Sequence, residues 1–173
     1  MPQTGFFTAD ELSTVSPVAS LIPRCGACGI YRQCKSPKMP VSGQGKQGVL
    51  IVGEAPGAVE DEQGKPFVGE SGQLLRETLE RLDVNVDRDC WVTNSLICRP
   101  PKNRTPTDKE IDYCRPNLIN TIEEVQPKTI VLLGAVPVKS LIGWLWREQV
   151  GALGRWIGWR IPCQKLNAWI CPA

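Results

Sequence analysis

Four consecutive apolar residues, Val49 to Val52, stand between Gly48 and Gly53. A short apolar run without polar alternation is the pattern of a strand buried on both faces of a parallel sheet. In open α/β sheets ligands collect beyond the carboxyl ends of the strands, so Gly53-Glu54-Ala55-Pro56-Gly57 falls where a pocket would be built. Its glycines let backbone approach a ligand, and Pro56 stiffens the loop. The acidic Glu60-Asp61-Glu62 follows, then Pro66-Phe67-Val68-Gly69, an aromatic in a loop bounded by Pro and Gly. Ser71 is the expected N-cap of a helix carrying Leu75, Leu79 and Leu82 on one face. The residues alone admit two readings of this stretch. One is an ordinary βα unit with a long polar loop. The other is a functional loop, because loops beyond roughly 12–15 residues in compact domains are usually functional or disordered.

The remaining chain repeats the alternation. Cys90 to Thr93 reads as a second strand ending at Asn94, which is again in ligand position or else a turn residue. Thr107 and Glu110 have capping-box spacing, and Ile111, Cys114, Leu118, Ile122 and Val125 recur at helical intervals, so Cys114 is expected to face inward. Thr129 to Leu133 is a third buried strand, and Pro137 can start a helix running to about Trp146. Glycines alternating with Trp156, Ile157, Trp159 and Ile161 suggest a hairpin whose aromatics pack on the sheet, and Lys165 to Cys171 supplies a last strand. The expected architecture is a three-layer αβα domain around a central, parallel, four-stranded sheet. Residues 1–24 are expected to form a loosely held arm, with a capping box at Thr8 and Glu11 and a short helix before Pro17, and residues 25–173 the domain. Gly43-Gln-Gly45-Lys-Gln-Gly48 matches the dinucleotide-binding pattern literally, but it precedes the strand it would have to follow, and it reads as a flexible lead-in.

Composition narrows the chemistry. The 173 residues carry eight cysteines, no histidine and a net charge of +2. Without histidine there are no Cys/His zinc sites, no Ser/His or Cys/His nucleophilic pairs and no imidazole acid–base chemistry. No apolar run approaches the roughly 20 residues of a membrane span, and the N-terminus lacks a basic region followed by an apolar core. The expectation is a soluble, cytoplasmic monomer with no membrane partner. So many cysteines without a signal peptide argue for metal binding rather than disulfides. Cys25 and Cys28 form a CxxC, and Cys98 and Cys114 lie sixteen apart. Four thiolates suit an iron–sulfur cluster or zinc, and spacing does not separate the two; a redox dithiol at the CxxC is a third reading. Cys34 is a spare candidate, while Cys90, Cys163 and Cys171 sit in strand-like contexts and read as core. The Cys98-Arg-Pro-Pro-Lys-Asn-Arg104 stretch is a basic loop, either a solvated surface or a phosphate contact.

GEAPG, ED, GKPFVG and SGQLL, in that order and without gaps, resemble the first motif of the family 4 uracil-DNA glycosylases, the iron–sulfur branch of that superfamily. CRPPKNRTPTDKEIDYC resembles the family's second cluster segment. The resemblance covers about residues 25 to 173. It implies a DNA-repair hydrolase that cleaves the N-glycosidic bond of uracil after flipping the nucleotide out of the stack. It also implies a [4Fe–4S] cluster on Cys25, Cys28, Cys98 and Cys114. Phe67 would stack on uracil, Asn94 would pair with its edge, and Gly53, Glu54 and Ala55 would complete the pocket. Glu54 or Asp61 would orient water and stabilise the cationic sugar. Lys102 and Arg104 would contact the phosphates of uracil-containing DNA.

The family carries a further motif after the last strand, beginning with a His-Pro pair. The sequence has no histidine and stops at Cys171-Pro172-Ala173. The expectation is therefore a chain truncated before that motif and slow in excision. The competing readings are a catalytically impaired DNA- or protein-binding module that keeps fold and cluster, and an iron–sulfur electron carrier.

Overall fold

The computed structural model describes residues 22–146 and 150–173, so the expected arm, apart from residues 22–24, and its capping box lie outside the described residues. The sheet is built on β1 (Val49–Gly53), which pairs in parallel with β2 (Cys90–Asn94) on one side and β3 (Thr129–Leu132) on the other. β5 (Ala168–Pro172) adds to β3 in parallel, and β4 (Ile161–Cys163) closes that edge antiparallel. The order β2-β1-β3-β5-β4 contains the expected four parallel strands plus one antiparallel edge strand.

Alternation along the strands sends side chains to two covered faces. Leu50, Val52, Ile130 and Leu132 meet α5 (Asp108–Val125) and α6 (Ala135–Trp146) through Leu118, Ile119, Ile122, Val138, Leu141 and Ile142. On the other face Ile51 and Val92 meet Leu75 and Leu79 of α3 (Glu70–Glu80) and the short α4 (Val86–Asp89). Three layers result. No helix among the described residues is long and apolar enough to cross a membrane.

Several local expectations shift. The residues after Gly57 do not stay irregular: Ala58–Gln63 forms a helix, α2, closed by Gly64 in the left-handed conformation at its C-cap. The N-cap of α3 is Gly69, so Ser71 lies inside the first turn, and Leu82, beyond the helix end, is 68% exposed. The hairpin is displaced. Residues 151–161 hold a 3₁₀ turn, Leu153–Arg155, and the paired strands are β4 and β5 around the turn Gln164–Leu166. Trp156 packs against the core and its indole N–H donates to the Val150 carbonyl at 2.7 Å, whereas Trp159 is exposed.

The glycine-rich lead-in is a packed segment. Gln44, Gly45, Lys46 and Gln47 donate backbone N–H to the carbonyls of Asp87, Cys90, Arg88 and Asp89 at 2.9–3.1 Å. A Cβ on Gly43 would sit 2.2 Å from the Cys90 carbonyl oxygen, and one on Gly45 would enter the Trp91 ring. The glycines there serve close approach to β2.

Candidate functional site

β1 sends the chain to β2 on one flank, and β3 returns on the other, so the crevice above β1 is a topological switch point. A cavity of about 570 Å³ opens there, lined by the last residues of β1 and β2 (Gly53, Asn94), by Leu133 just past β3, and by Glu54, Ala55, Glu60 and Phe67. Gly53 and Asn94 are cross-strand partners. A Cβ on Gly53 would lie 2.5 Å from Asn94 Oδ1 and 2.7 Å from Phe67 Cζ. Amide and ring thus converge on one glycine.

Each wall has a local cause. Past β1 the ladder continues, with Ser95 N–H donating to the Gly53 carbonyl (2.8 Å) and Leu96 N–H to the Glu54 carbonyl (3.0 Å). Those carbonyls are already engaged, and Asn94, buried at the end of β2, holds a fixed position. Phe67 has φ +57°, a left-handed conformation that costs about 1–3 kcal/mol for such a residue unless its surroundings impose it. The surroundings do so. Arg76 Nε donates to the Phe67 carbonyl at 3.3 Å, and Arg76 is held by Asp87 at 2.6 Å. Gly72 lies so close that a Cβ there would be 2.2 Å from the Phe67 carbonyl carbon.

The two candidate carboxylates part company. Glu54 lines the cavity and is exposed at its mouth, yet partial burial raises its carboxyl above the usual carboxylate range. Asp61 is buried on the other side of α2 and is absent from the cavity wall. Its Oδ1 accepts from Ser36 N–H at 3.0 Å and its Oδ2 lies 3.8 Å from Arg99 Nη1, which ties α2 to the cysteine-bearing loops.

The basic loop is divided too. Arg104 donates to both oxygens of Glu110 (2.8 and 2.6 Å), inside the capping box that Thr107 and Glu110 form at the start of α5. Lys102 is exposed, has no ion-pair partner among the described residues and sits at φ +54° beside Asn103 at φ +56°. The Arg104 guanidinium holds the Glu110 carboxyl down at about 2. A depressed folded value means stability present above the ordinary carboxylate range, about pH 4.3, and lost as pH falls through about 2. Glu110→Gln is therefore expected to lower the unfolding midpoint at pH 7, with variant and parent converging in acid; a constant difference across that pH range would exclude this coupling.

The cysteines converge on a second place. Cys25 and Cys28 occupy α1 (Cys25–Cys28), which Arg24 N–H ties to the Tyr113 carbonyl of α5 at 3.1 Å. With Cys98 and Cys114 they line a cavity walled by Ile30, Tyr31, Leu96, Ile97 and Tyr113. Burial pushes Cys98 up to about 12 and Cys114 up to about 11, so both are neutral thiols at pH 7 when nothing binds them. Donors already point at their sulfurs: Lys38 N–H at 3.2 Å from Cys98, and Ile97 N–H and Asn117 Nδ2 at 3.5 Å from Cys114. Among the described residues no group of three or more His, Cys, Asp and Glu side chains is arranged to hold a single metal ion. Cys34 stands beside this cavity rather than in its wall, its thiol 3.5 Å from the Ile30 and Arg99 carbonyls. Cys90 and Cys163 are buried in strands, and Cys171 is half-buried.

The family model described as "Uracil DNA glycosylase superfamily" matches residues 40–172, from the lead-in to the end of β5. The chain belongs to the uracil-DNA glycosylase superfamily. Several of its relatives there are type-4 uracil-DNA glycosylases. It is 48% identical over 122 residues to the type-4 uracil-DNA glycosylase of Pyrobaculum aerophilum, covering 70% of this chain and 61% of the relative. It is 37% identical over 123 residues to that of Archaeoglobus fulgidus (71% and 61%) and 36% over 138 residues to that of Thermotoga maritima (79% and 69%). The chain thus spans about 61% of the length of the Pyrobaculum and Archaeoglobus glycosylases.

Sequence reasoning about this glycosylase-family chain missed Glu60. Its Oε1 accepts from Val68 N–H (3.1 Å) and Gly69 N–H (2.8 Å), and its Oε2 from Gly57 N–H (3.1 Å). The available signal was an acid three residues after a potential N-cap glycine, the reciprocal half of a capping box.

Proposed function

We propose that the chain recognises uracil in DNA and hydrolyses its N-glycosidic bond, as a monomer in the cytoplasm. The observation that carries this reading is the convergence of the Phe67 ring and the Asn94 amide on Gly53. A flat π-face beside a fixed amide, in a crevice wide enough for one base, suits a flipped pyrimidine read along its Watson–Crick edge. Asn94 can both donate and accept, as uracil's edge demands. Glu54 is the carboxylate at the cavity, so it takes the role of orienting water and opposing positive charge on the sugar. Asp61 then acts at a distance, by fixing α2.

The four thiols at the second cavity fit a [4Fe–4S] cluster. The donor set is four cysteines, the walls are apolar, and N–H groups aimed at the sulfurs are of the kind that stabilise cluster thiolates. A single zinc ion held by the same four cysteines is the competing occupant. When bound, the cluster would join α1, the loop after β2 and α5; its part is structural. Exposed Lys102, on the loop that also carries Cys98, is the better phosphate contact, while Arg104 shapes that loop through Glu110.

The test is single-turnover cleavage and salt-dependent binding of matched oligonucleotides carrying uracil, thymine or cytosine at one position. Preference for uracil is expected, with affinity falling as salt rises and Lys102→Ala lowering the logarithmic salt slope by about 1. Equal treatment of the three bases would overturn the reading. Uracil binding without cleavage would favour the binding-module alternative.

A further inference from the structure

We infer that Glu60 is the positioning residue that holds Phe67 in its base-stacking pose, joining two loops that line the pocket. This deepens the uracil-pocket reading and rests on it. The observation is the use made of one carboxylate. Oε1 accepts the N–H groups of Val68 and Gly69, the two residues directly after Phe67, and Oε2 accepts that of Gly57, at the end of the β1 loop. Among the described residues no lysine or arginine pairs with Glu60, so both oxygens are spent on backbone. A carboxylate accepting backbone N–H bonds makes strong, charge-assisted contacts.

The room for this clamp is made by glycine. A Cβ on Gly57 would come within 2.8 Å of Oε2, and one on Gly69 within 3.0 Å of Oε1. The clamp works against a local preference. Phe67 at φ +57° tends to relax to extended backbone, and its ring would then leave the edge of Gly53. Arg76 and Gly72 constrain Phe67 from the α3 side, and Glu60 from the α2 side. Glu60 also lines the cavity, but both its oxygens are engaged by backbone N–H groups, two of them directly after Phe67, so its effect on a bound base passes through Phe67.

Two readouts separate this from general support of the fold. The first is ¹⁹F NMR of chain labelled with 4-fluorophenylalanine, which carries only Phe6, Phe7 and Phe67. The Phe67 line, assigned with Phe67→Leu, is expected to move towards the position of a flexible ring in Glu60→Ala and part-way in Glu60→Gln, whose amide can replace one acceptor oxygen but presents N–H to Gly57. Near-UV circular dichroism from the tryptophans should stay unchanged. The second is a double-mutant cycle on uracil-DNA cleavage: Glu60→Ala is expected to lower kcat/KM about 10- to 100-fold alone and to add less than about twofold on top of Phe67→Ala. An unmoved Phe67 line, or additive losses in the cycle, would overturn the inference. If the parent chain neither binds nor cleaves uracil-DNA, the functional reading fails, and the ¹⁹F line still decides whether Glu60 sets Phe67. Should Glu60→Ala not fold, Glu60→Gln supplies both readouts.

Discussion

Glu54→Gln is expected to lower single-turnover excision of uracil by about 10²–10³-fold while leaving uracil-DNA affinity within about tenfold. Positioned carboxylates acting on water or on a developing cation typically contribute about 10²–10⁴-fold. Glutamine keeps the shape of Glu54 but cannot carry its charge or take a proton. The pH profile gives a second reading. Partial burial raises the Glu54 carboxyl, so activity that needs the carboxylate should fall, as pH is lowered, at a higher pH than an ordinary glutamate would allow. The stability effect has the opposite sense. A carboxyl raised on folding contributes stability that is fully present below its unfolded value, about 4.3, and lost as pH rises through the folded value. At neutral pH the charge at Glu54 therefore opposes folding slightly, and Glu54→Gln should unfold at the same temperature as the parent or higher. Stop-flow or quench cleavage alongside thermal unfolding checks both. A variant that keeps full speed, or one slow only because it has unfolded, would remove Glu54 from the reaction.

That separation of Glu54 from Asp61 illustrates what the sequence could and could not carry. The strands were legible because short, mostly apolar runs bounded by glycine or polar residues have few other outcomes, and β1, β2 and β3 lie where those runs stand. The capping box of Thr107 and Glu110 was legible because it depends on residues three apart. Features set by contacts across the fold were not. Asp61 is adjacent in sequence to the pocket-lining Glu60, yet a helix turns successive side chains about 100° apart, and Asp61 meets Ser36 and Arg99 instead. Arg104 reads as a free cation until Glu110 is brought under it by the first turn of α5. The run from Gly43 to Gly48 reads as flexible because composition cannot reveal that Trp91 and Cys90 press against it. Glu60 combined both problems: its helix, α2, was not foreseen, and two of its three backbone partners lie beyond that helix. The four cysteines stood out by count and spacing, but their common cavity is made by α1, the loop after β2 and α5 meeting from three directions.

Cys114→Ala is expected to abolish binding of iron and acid-labile sulfide and to lower the stability of the domain by several kcal/mol, whereas Cys163→Ala should do neither. The two thiols make a matched pair. Both are buried, Cys114 on α5 among Ile111, Leu96 and Val136, and Cys163 on β4 in the main core. Removing one sulfur from either loses packing worth roughly 1 kcal/mol, by analogy with deleting a methyl group. Any larger loss at Cys114 must come from what its sulfur binds. Structural metal sites couple binding to folding with apparent energies of about 10–16 kcal/mol for zinc-finger peptides, so losing one ligand in four can remove a substantial part of domain stability. Burial sharpens the contrast: a thiol pushed up to about 11 must release its proton to ligate, so metal uptake should liberate protons and weaken in acid. Anaerobic iron, zinc and sulfide analysis of parent and variants, with urea unfolding of each, measures the difference. Zinc without sulfide in the parent would replace the cluster with a mononuclear site. Equal, small losses in both variants would leave the four thiols as ordinary core, and the convergence of α1, the loop after β2 and α5 would then rest on apolar packing among Ile30, Leu96 and Ile111 and on the Arg24–Tyr113 hydrogen bond.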